Sequence, residues 1–104
     1  MRGPEAKVKD AIRAYLKEIG AYQFWPVQTG YGAATLDCLC CWRGLFLGIE
    51  VKRGDTRPPP TVRQQQTAQE IAAAGGATVV AYSVEDVISR LRAMHQFTSP
   101  SMKL

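Results

Sequence analysis

Residues 36–52, LDCLCCWRGLFLGIEVK, constrain the fold more than any other stretch of the chain. The segment predicts two strands that fold back on each other around a two-residue Arg-Gly turn. Counting outward from that turn places Asp37 directly across from Glu50. Lys52 follows Glu50 by two residues and therefore points to the same face of the hairpin. The hairpin thus predicts a cluster of charged side chains at its open end.

The rest of the hairpin is strongly apolar, and its second strand alternates regularly. Leu45, Leu47, Ile49 and Val51 fall on the face opposite Glu50, which predicts that this face packs on the core. Two like charges held opposite each other destabilise a sheet unless a cation compensates them. A simpler interpretation also stands at this point: Glu50 and Lys52 form an ion pair at a strand end, in an unrelated α/β protein.

Local signals along the chain predict seven elements in the order α-β-β-β-α-β-α. Pro4 and Gly20 are typical of the start and stop of a first helix, and Thr61 is a candidate cap for a second. The predicted elements are a helix over 4–19, strands over 21–27, 35–42 and 45–52, a helix over 61–74, a strand over 77–83 and a helix over 84–95. The β-α-β connection implies some parallel pairing. We therefore expect an α/β domain, bordering on α+β, with a mixed four-stranded sheet over residues 1–95 and a loose tail over 96–104.

Composition narrows the classes of partner. The chain has 104 residues and a net charge of +4, which favours an anionic partner. Its apolar runs are too short for a membrane span, and its first residues lack the apolar region of a secretion signal. The three cysteines, Cys38, Cys40 and Cys41, are too clustered and too few for a disulfide framework, and strand alternation keeps them from converging on one metal. We expect buried thiols and a reducing cytoplasm.

The carboxylate pair itself points to a metal. Asp37 and Glu50 offer the oxygen ligands that Mg²⁺ and Mn²⁺ prefer. Such an ion polarises a phosphoryl oxygen and lowers the pKa of a bound water. Lys52 would supply a positive charge beside them, where negative charge develops on a phosphate. This combination favours phosphodiester hydrolysis.

In order along the chain, these segments resemble the PD-(D/E)XK nuclease superfamily, and in particular its small stand-alone VRR-NUC members. The similar segments are TGYGAATLD, WRGLFLGIEVK, the proline-bearing loop, TVRQQQTAQEIAAAGG and ATVVAYSVEDV, within residues 5–86. The resemblance implies the restriction-endonuclease-like fold. This chain departs from the family in having Leu36 where members usually have a proline before the first acid.

The resemblance implies a role for each site residue. Asp37 and Glu50 become metal ligands together with the backbone carbonyl of Val51, and Lys52 becomes the catalytic lysine. The family's helix glutamine corresponds to Gln64, with Gln65 or Gln66 as alternatives. Glu5 matches the acidic residue that members often carry on the first helix, and so becomes a further metal ligand.

Other side chains are candidates for DNA contact. Arg53, Arg57 and Arg63 flank the proline loop and would either bind phosphates or form a solvated rim. Tyr22, Phe24 and Trp25 would either stack on bases or pack in the sheet, and the sequence favours packing.

Together these inferences predict a Mg²⁺- or Mn²⁺-dependent DNA endonuclease. The resemblance implies a 5′-phosphate product and homodimers that act on branched DNA such as four-way (Holliday) junctions, with Tyr82 and the last helix as a candidate dimer face. A monomer of this size would instead nick flaps or single strands. The alternative is a non-catalytic DNA-binding or assembly protein that retains the nuclease fold.

Overall fold

The computed structural model describes residues 3–27 and 35–98. Its elements follow the predicted order: α1 (Pro4–Glu18), β1 (Tyr22–Phe24), β2 (Cys38–Trp42), β3 (Leu45–Val51), α2 (Val62–Ala73), β4 (Ala77–Ala81) and α3 (Val84–Thr98). The predicted TGYGAA loop, residues 29–34, lies outside the described residues. Among those residues, no helix has the length and apolar content that crossing a bilayer requires.

The four strands form one mixed sheet in the order β1-β2-β3-β4. The first three strands are antiparallel, and β4 runs parallel to β3. Trp42 pairs with Leu45 and Cys38 pairs with Ile49, which is the predicted hairpin register. The predicted α/β class and the mixed sheet are confirmed.

The hairpin turn explains this register. Arg43 and Gly44 both have positive φ, at 52° and 80°. Two such residues form the tight turn whose twist matches that of the flanking strands. A two-residue turn leaves no freedom in the pairing, so the turn fixes which side chains of β2 and β3 share a face.

The core lies on one face of the sheet, under α1 and α3. Ile12, Leu16, Val87 and Leu91 of these helices are buried against strand side chains that include Leu47, Ile49, Val51, Cys38 and Cys40. The predicted core face of β3 is confirmed by its three buried aliphatic residues. Cys38 and Cys40 are buried free thiols as expected, whereas Cys41 is exposed, because alternation turns it to the other face.

Helix α2 packs on the other face of the sheet, over β3 and β4. Gly48 permits this close approach, since a Cβ atom there would lie 2.9 Å from Leu36 Cδ1 and 3.1 Å from Ile71 Cδ1. Gly75, at φ 99°, ends the helix as the sequence predicts. This face carries Glu50, so α2 is the element that approaches the charged end of the hairpin.

Most elements end one to three residues short of the prediction, as in β1, which spans Tyr22–Phe24 rather than 21–27, and two further differences matter for the site and the tail. The last helix continues through Thr98, although the sequence predicts a tail from Gln96, because Gln, Phe and Thr do not by themselves end a helix. Strand β2 begins at Cys38, so Asp37 stands immediately before the strand. In that position the Asp37 carboxylate can accept a hydrogen bond from the backbone of β3.

Candidate metal centre

The predicted site residues meet at one end of the sheet. Glu50 and Val51 end β3, Asp37 precedes β2, and Gln64 lies in the first turn of α2. Because β2 and β3 are antiparallel, the start of one strand lies beside the end of the other. The fold therefore brings together residues that the sequence separates by a hairpin and a proline loop.

Asp37 is held by the backbone of β3. Its Oδ2 accepts a hydrogen bond from the Val51 N–H at 2.8 Å, and its Oδ1 lies 3.7 Å from Nζ of Lys9. In an extended strand the N–H and C=O of one residue point to the same side. The Val51 carbonyl therefore points toward the side of β3 on which Asp37 lies.

Glu50 is a buried carboxyl group, with only 6% of the residue exposed. Its Oε2 accepts a hydrogen bond from Nε2 of Gln64 at 2.7 Å and lies 3.8 Å from Nζ of Lys52. The pKa of Glu50 is raised to about 8, chiefly by burial and then by the charge of Asp37 and a hydrogen bond to Asp37. The ammonium group of Lys52 opposes that rise in pKa.

Burial is the main cause of the raised pKa of Glu50, and the neighbouring Asp37 carboxylate adds to it. Two carboxylates close together in a poorly solvated place cannot both ionise without compensation. Lys52 places a positive charge beside Glu50, Gln64 donates a hydrogen bond to it, and a divalent cation would supply the remaining compensation. The donor set of Asp37, Glu50 and the Val51 carbonyl fits an oxygen-preferring ion of the Mg²⁺ or Mn²⁺ type.

Gln64 is positioned by the cap of its own helix. The Gln64 N–H donates to Oγ1 of Thr61 at 3.2 Å, and Oε1 of Gln64 accepts from the Thr61 N–H at 2.8 Å. This capping box commits the amide oxygen to Thr61 and turns the amide NH₂ toward Glu50. Of the three candidate glutamines, Gln64 contacts Glu50, Gln65 donates instead to the Pro60 carbonyl, and Gln66 is exposed.

Lys9 was not identified from the sequence, although it lies at the site. It bridges Asp37 and Glu5, with Nζ 3.4 Å from Oε2 of Glu5. The described residues contain no group of three or more His, Cys, Asp or Glu side chains arranged to hold an ion. Glu5 therefore approaches Asp37 through Lys9 rather than as a third carboxylate beside Glu50. The i, i+4 spacing of Glu5 and Lys9 was the available signal, but it does not say what the helix faces.

The three predicted arginines occupy different settings. Arg53 makes two hydrogen bonds to Asp55, at 2.6 and 2.7 Å. Arg57 lies over the Tyr82 ring, 4.4 Å from its centroid. Arg63 is exposed on α2, next to Gln64. All three lie on or beside the proline loop, but only Arg63 shares a turn of helix with a residue that contacts Glu50.

The fold of this chain is similar to that of a protein of known structure. The chain has a small mixed sheet with helices on both faces, and its paired carboxylates lie where an antiparallel hairpin opens. No protein-family model and no curated protein matches the chain. A solved structure described as a VRR_NUC domain does match, with a TM-score of 0.73 and 20% identity over 88% of this chain and 97% of that one. The resemblance to the VRR-NUC domain is therefore confirmed at the level of the fold.

Proposed function

We propose that this chain is a metal-dependent nuclease that hydrolyses backbone phosphodiester bonds of DNA. The observation that carries the proposal is the pair formed by buried Glu50 and half-buried Asp37, with Lys52 and Gln64 on the same Glu50 oxygen. The shared fold with a VRR_NUC domain supports it. A pair of carboxylates at the rim of a domain, backed by a lysine and an amide, suits phosphate chemistry better than it suits stability.

Asp37, Glu50 and the Val51 carbonyl would hold the ion, Mg²⁺ or Mn²⁺. When bound, such an ion lowers the pKa of a coordinated water and polarises a phosphoryl oxygen. The chain's own residues supply the remaining steps. The Val51 N–H fixes the Asp37 carboxylate, and Gln64 fixes that of Glu50. Lys52, largely buried beside Glu50, would stabilise negative charge on the phosphate as the bond to the leaving oxygen breaks.

The finer features of the proposal come from the family resemblance. They are endonucleolytic cutting with a 5′-phosphate product, preference for flaps or four-way junctions, and action as a homodimer in the cytoplasm of a bacterial or phage-infected cell. A dimer would present two such sites to two strands of a junction. The net charge of +4 favours the DNA backbone as the partner.

The test is cleavage of a labelled panel of single strand, duplex, flap and four-way junction, with Mg²⁺, Mn²⁺ or EDTA. Lys52→Ala should reduce cutting at least a hundredfold, on the scale of losing one electrostatic stabiliser of the transition state. Lys17→Ala, which changes an exposed lysine in the last turn of α1, should cut like the wild type.

Each other result has a definite meaning. Cutting that persists at full rate in Lys52→Ala would show that the activity does not come from this site. Binding of DNA without cutting, by wild-type protein in either metal, would favour the non-catalytic DNA-binding protein.

A further inference from the structure

Strand β1 displays two aromatic side chains to solvent. Tyr22 is 71% exposed and Phe24 is 52% exposed, although packing in the sheet was the favoured prediction. Trp25 differs, because it is half-buried and its Nε1 donates to Gln23 at 2.8 Å. Aromatic residues on an edge strand usually bury their rings against neighbours, so two exposed rings on one face call for a partner.

The two rings lie on the face of the sheet that carries Glu50. Phe24 pairs with Leu39, and Leu39 pairs with Gly48, two residues before Glu50. Residues two apart on a strand share a face. Two strand spacings across and two residues along place Phe24 on the order of 10 Å from Glu50. The rings and the carboxylate pair therefore belong to one continuous surface.

The part of this face over β1 and β2 is open among the described residues, because α2 lies over β3 and β4. Between the aromatic rings and α2, the floor is formed by Leu39 and Cys41, which is exposed. We call the surface formed beside α2 by the two rings, Leu39 and Cys41 the β1–β2 groove. One end of the groove leads to Asp37 and Glu50.

A cation flanks this groove at its catalytic end. Gln65 and Gln69 of α2 line a cavity with Thr78 and Val80, on the β4 side of the helix. Because successive residues of a helix turn by about 100°, Arg63 lies on the opposite side, toward β2. Arg63 is exposed, so its guanidinium is available to a phosphate of a DNA strand that runs from the groove to the carboxylates.

The other face of β1 holds the strand rigidly. Nε2 of Gln23 donates to the Arg13 carbonyl of α1 at 3.1 Å, and the Arg13 guanidinium lies 4.4 Å from the centroid of the Trp25 ring. These contacts attach β1 to α1 without using Tyr22 or Phe24. The two exposed rings are therefore carried on a fixed support, about 7 Å apart at their Cβ atoms.

From these observations we propose that Tyr22 and Phe24 form a stacking platform for unpaired nucleotides of DNA that enter the site at Asp37 and Glu50. The proposal rests on the proposed nuclease function and names its substrate class: DNA with a single-stranded segment beside the scissile phosphate. Exposed aromatic rings beside a cationic path are how proteins bind single strands without sequence preference, because every base has a face to stack. In paired DNA the base faces are already occupied, so the platform would discriminate against uninterrupted duplex.

The experiment measures binding apart from cleavage. Fluorescence anisotropy in EDTA would compare a labelled single strand of mixed sequence with the blunt duplex of the same sequence. Tyr22→Thr with Phe24→Thr should weaken single-strand binding at least about tenfold, since loss of one stacked base costs about 5- to 160-fold. Duplex binding should change less than twofold. The ring-preserving variants Tyr22→Phe and Phe24→Tyr should bind like the wild type, as should Val62→Thr, which alters an exposed apolar residue of α2.

Unchanged single-strand affinity in the double variant would overturn the proposal. So would an equal loss of duplex binding, or a change in oligomeric state by sedimentation with DNA affinity intact, which would make the groove a contact between copies. If the double variant does not fold, the single Tyr22→Thr variant against Tyr22→Phe carries the same comparison. Ring-dependent binding without any metal-dependent cutting would uphold the platform while removing the nuclease, so the two proposals fail separately.

Discussion

The protonation state of Glu50 should make the free energy of unfolding of the metal-free protein depend on pH. Its pKa in the folded state is raised to about 8 from an ordinary value of 4.5. Between these two values the folded chain binds more protons than the unfolded chain, so the free energy of unfolding falls as pH rises. Above pH 8 the loss is complete, and below pH 4.5 the full stability remains.

We therefore expect a pH-dependent difference between the wild type and Glu50→Gln. Since one pKa unit corresponds to about 1.4 kcal/mol, the wild type should lose on the order of 2–5 kcal/mol across this range relative to the variant. Urea unfolding in EDTA from pH 4.5 to pH 8.5 measures it. Asp10→Asn, which neutralises an exposed carboxylate on α1, is the control and should follow the wild type. Parallel profiles for wild type and Glu50→Gln would contradict the raised pKa.

At the scale of elements, Tyr82 attaches the proline loop to the end of β4. The hydroxyl of Tyr82 donates to the Pro58 carbonyl at 2.8 Å, and Arg57 stacks on its ring. Gly54 lies so close that a Cβ atom there would be 2.6 Å from the Tyr82 carbonyl oxygen. This loop connects β3, which ends at the carboxylates, with the capped start of α2, which carries Gln64.

Gly54→Ala should consequently destabilise the protein by about 1–3 kcal/mol, because the added methyl group meets backbone that cannot move aside freely. It should also reduce cleavage, since displacement of the loop separates Gln64 from Glu50. Thr56→Ala, at an exposed position of the same loop, is the matched control and should change stability by less than about 0.5 kcal/mol. Thermal unfolding of both variants, with cleavage rates at saturating metal, decides the outcome. Equal stability of the two variants would show that the loop tolerates a shift.

Features that depend on residues close in sequence could be predicted, whereas features that depend on how the elements pack could not. The hairpin register follows from one tight turn, and the cap of α2 follows from Thr61 and Gln64, because both depend on residues close in sequence. Lys9 was missed because its contact with Asp37 depends on how α1 lies across the sheet. Tyr22 and Phe24 were expected to pack because strand propensity does not tell which half of a face α2 will cover. Local rules therefore predicted the elements and the carboxylate pair, whereas packing decided the surroundings of the site.

At the scale of the whole molecule, the thiols of β2 report on the integrity of the fold. Strand β2 lies between β1 and β3, and burial raises the pKa of Cys38 to about 12 and that of Cys40 to about 11. Cys41 is exposed. Since the thiolate is the reactive form and must also be reached by the reagent, Cys38 and Cys40 should react only when the sheet opens. Labelling with an aromatic disulfide at pH 8 should show one fast thiol and two slow ones, and Cys41→Ser should abolish the fast phase. Three fast thiols in the wild type would contradict a closed core around β2.

The slow phase connects the fold with the proposed metal centre. An ion held by Asp37 and Glu50 binds the folded chain and not the open one, so it should lower the open population by a factor of one plus the ratio of free ion to its dissociation constant. Mg²⁺ at ten times that constant should thus slow the labelling of Cys38 and Cys40 about tenfold, while leaving Cys41 unaffected. Asp37→Asn removes one ligand and should lose the metal dependence of the slow phase. If Mg²⁺ slows labelling equally in Asp37→Asn, the ion binds elsewhere, and the carboxylate pair is not the metal centre. Because this measurement needs no DNA and no turnover, it tests the metal site even in a chain that has lost catalysis.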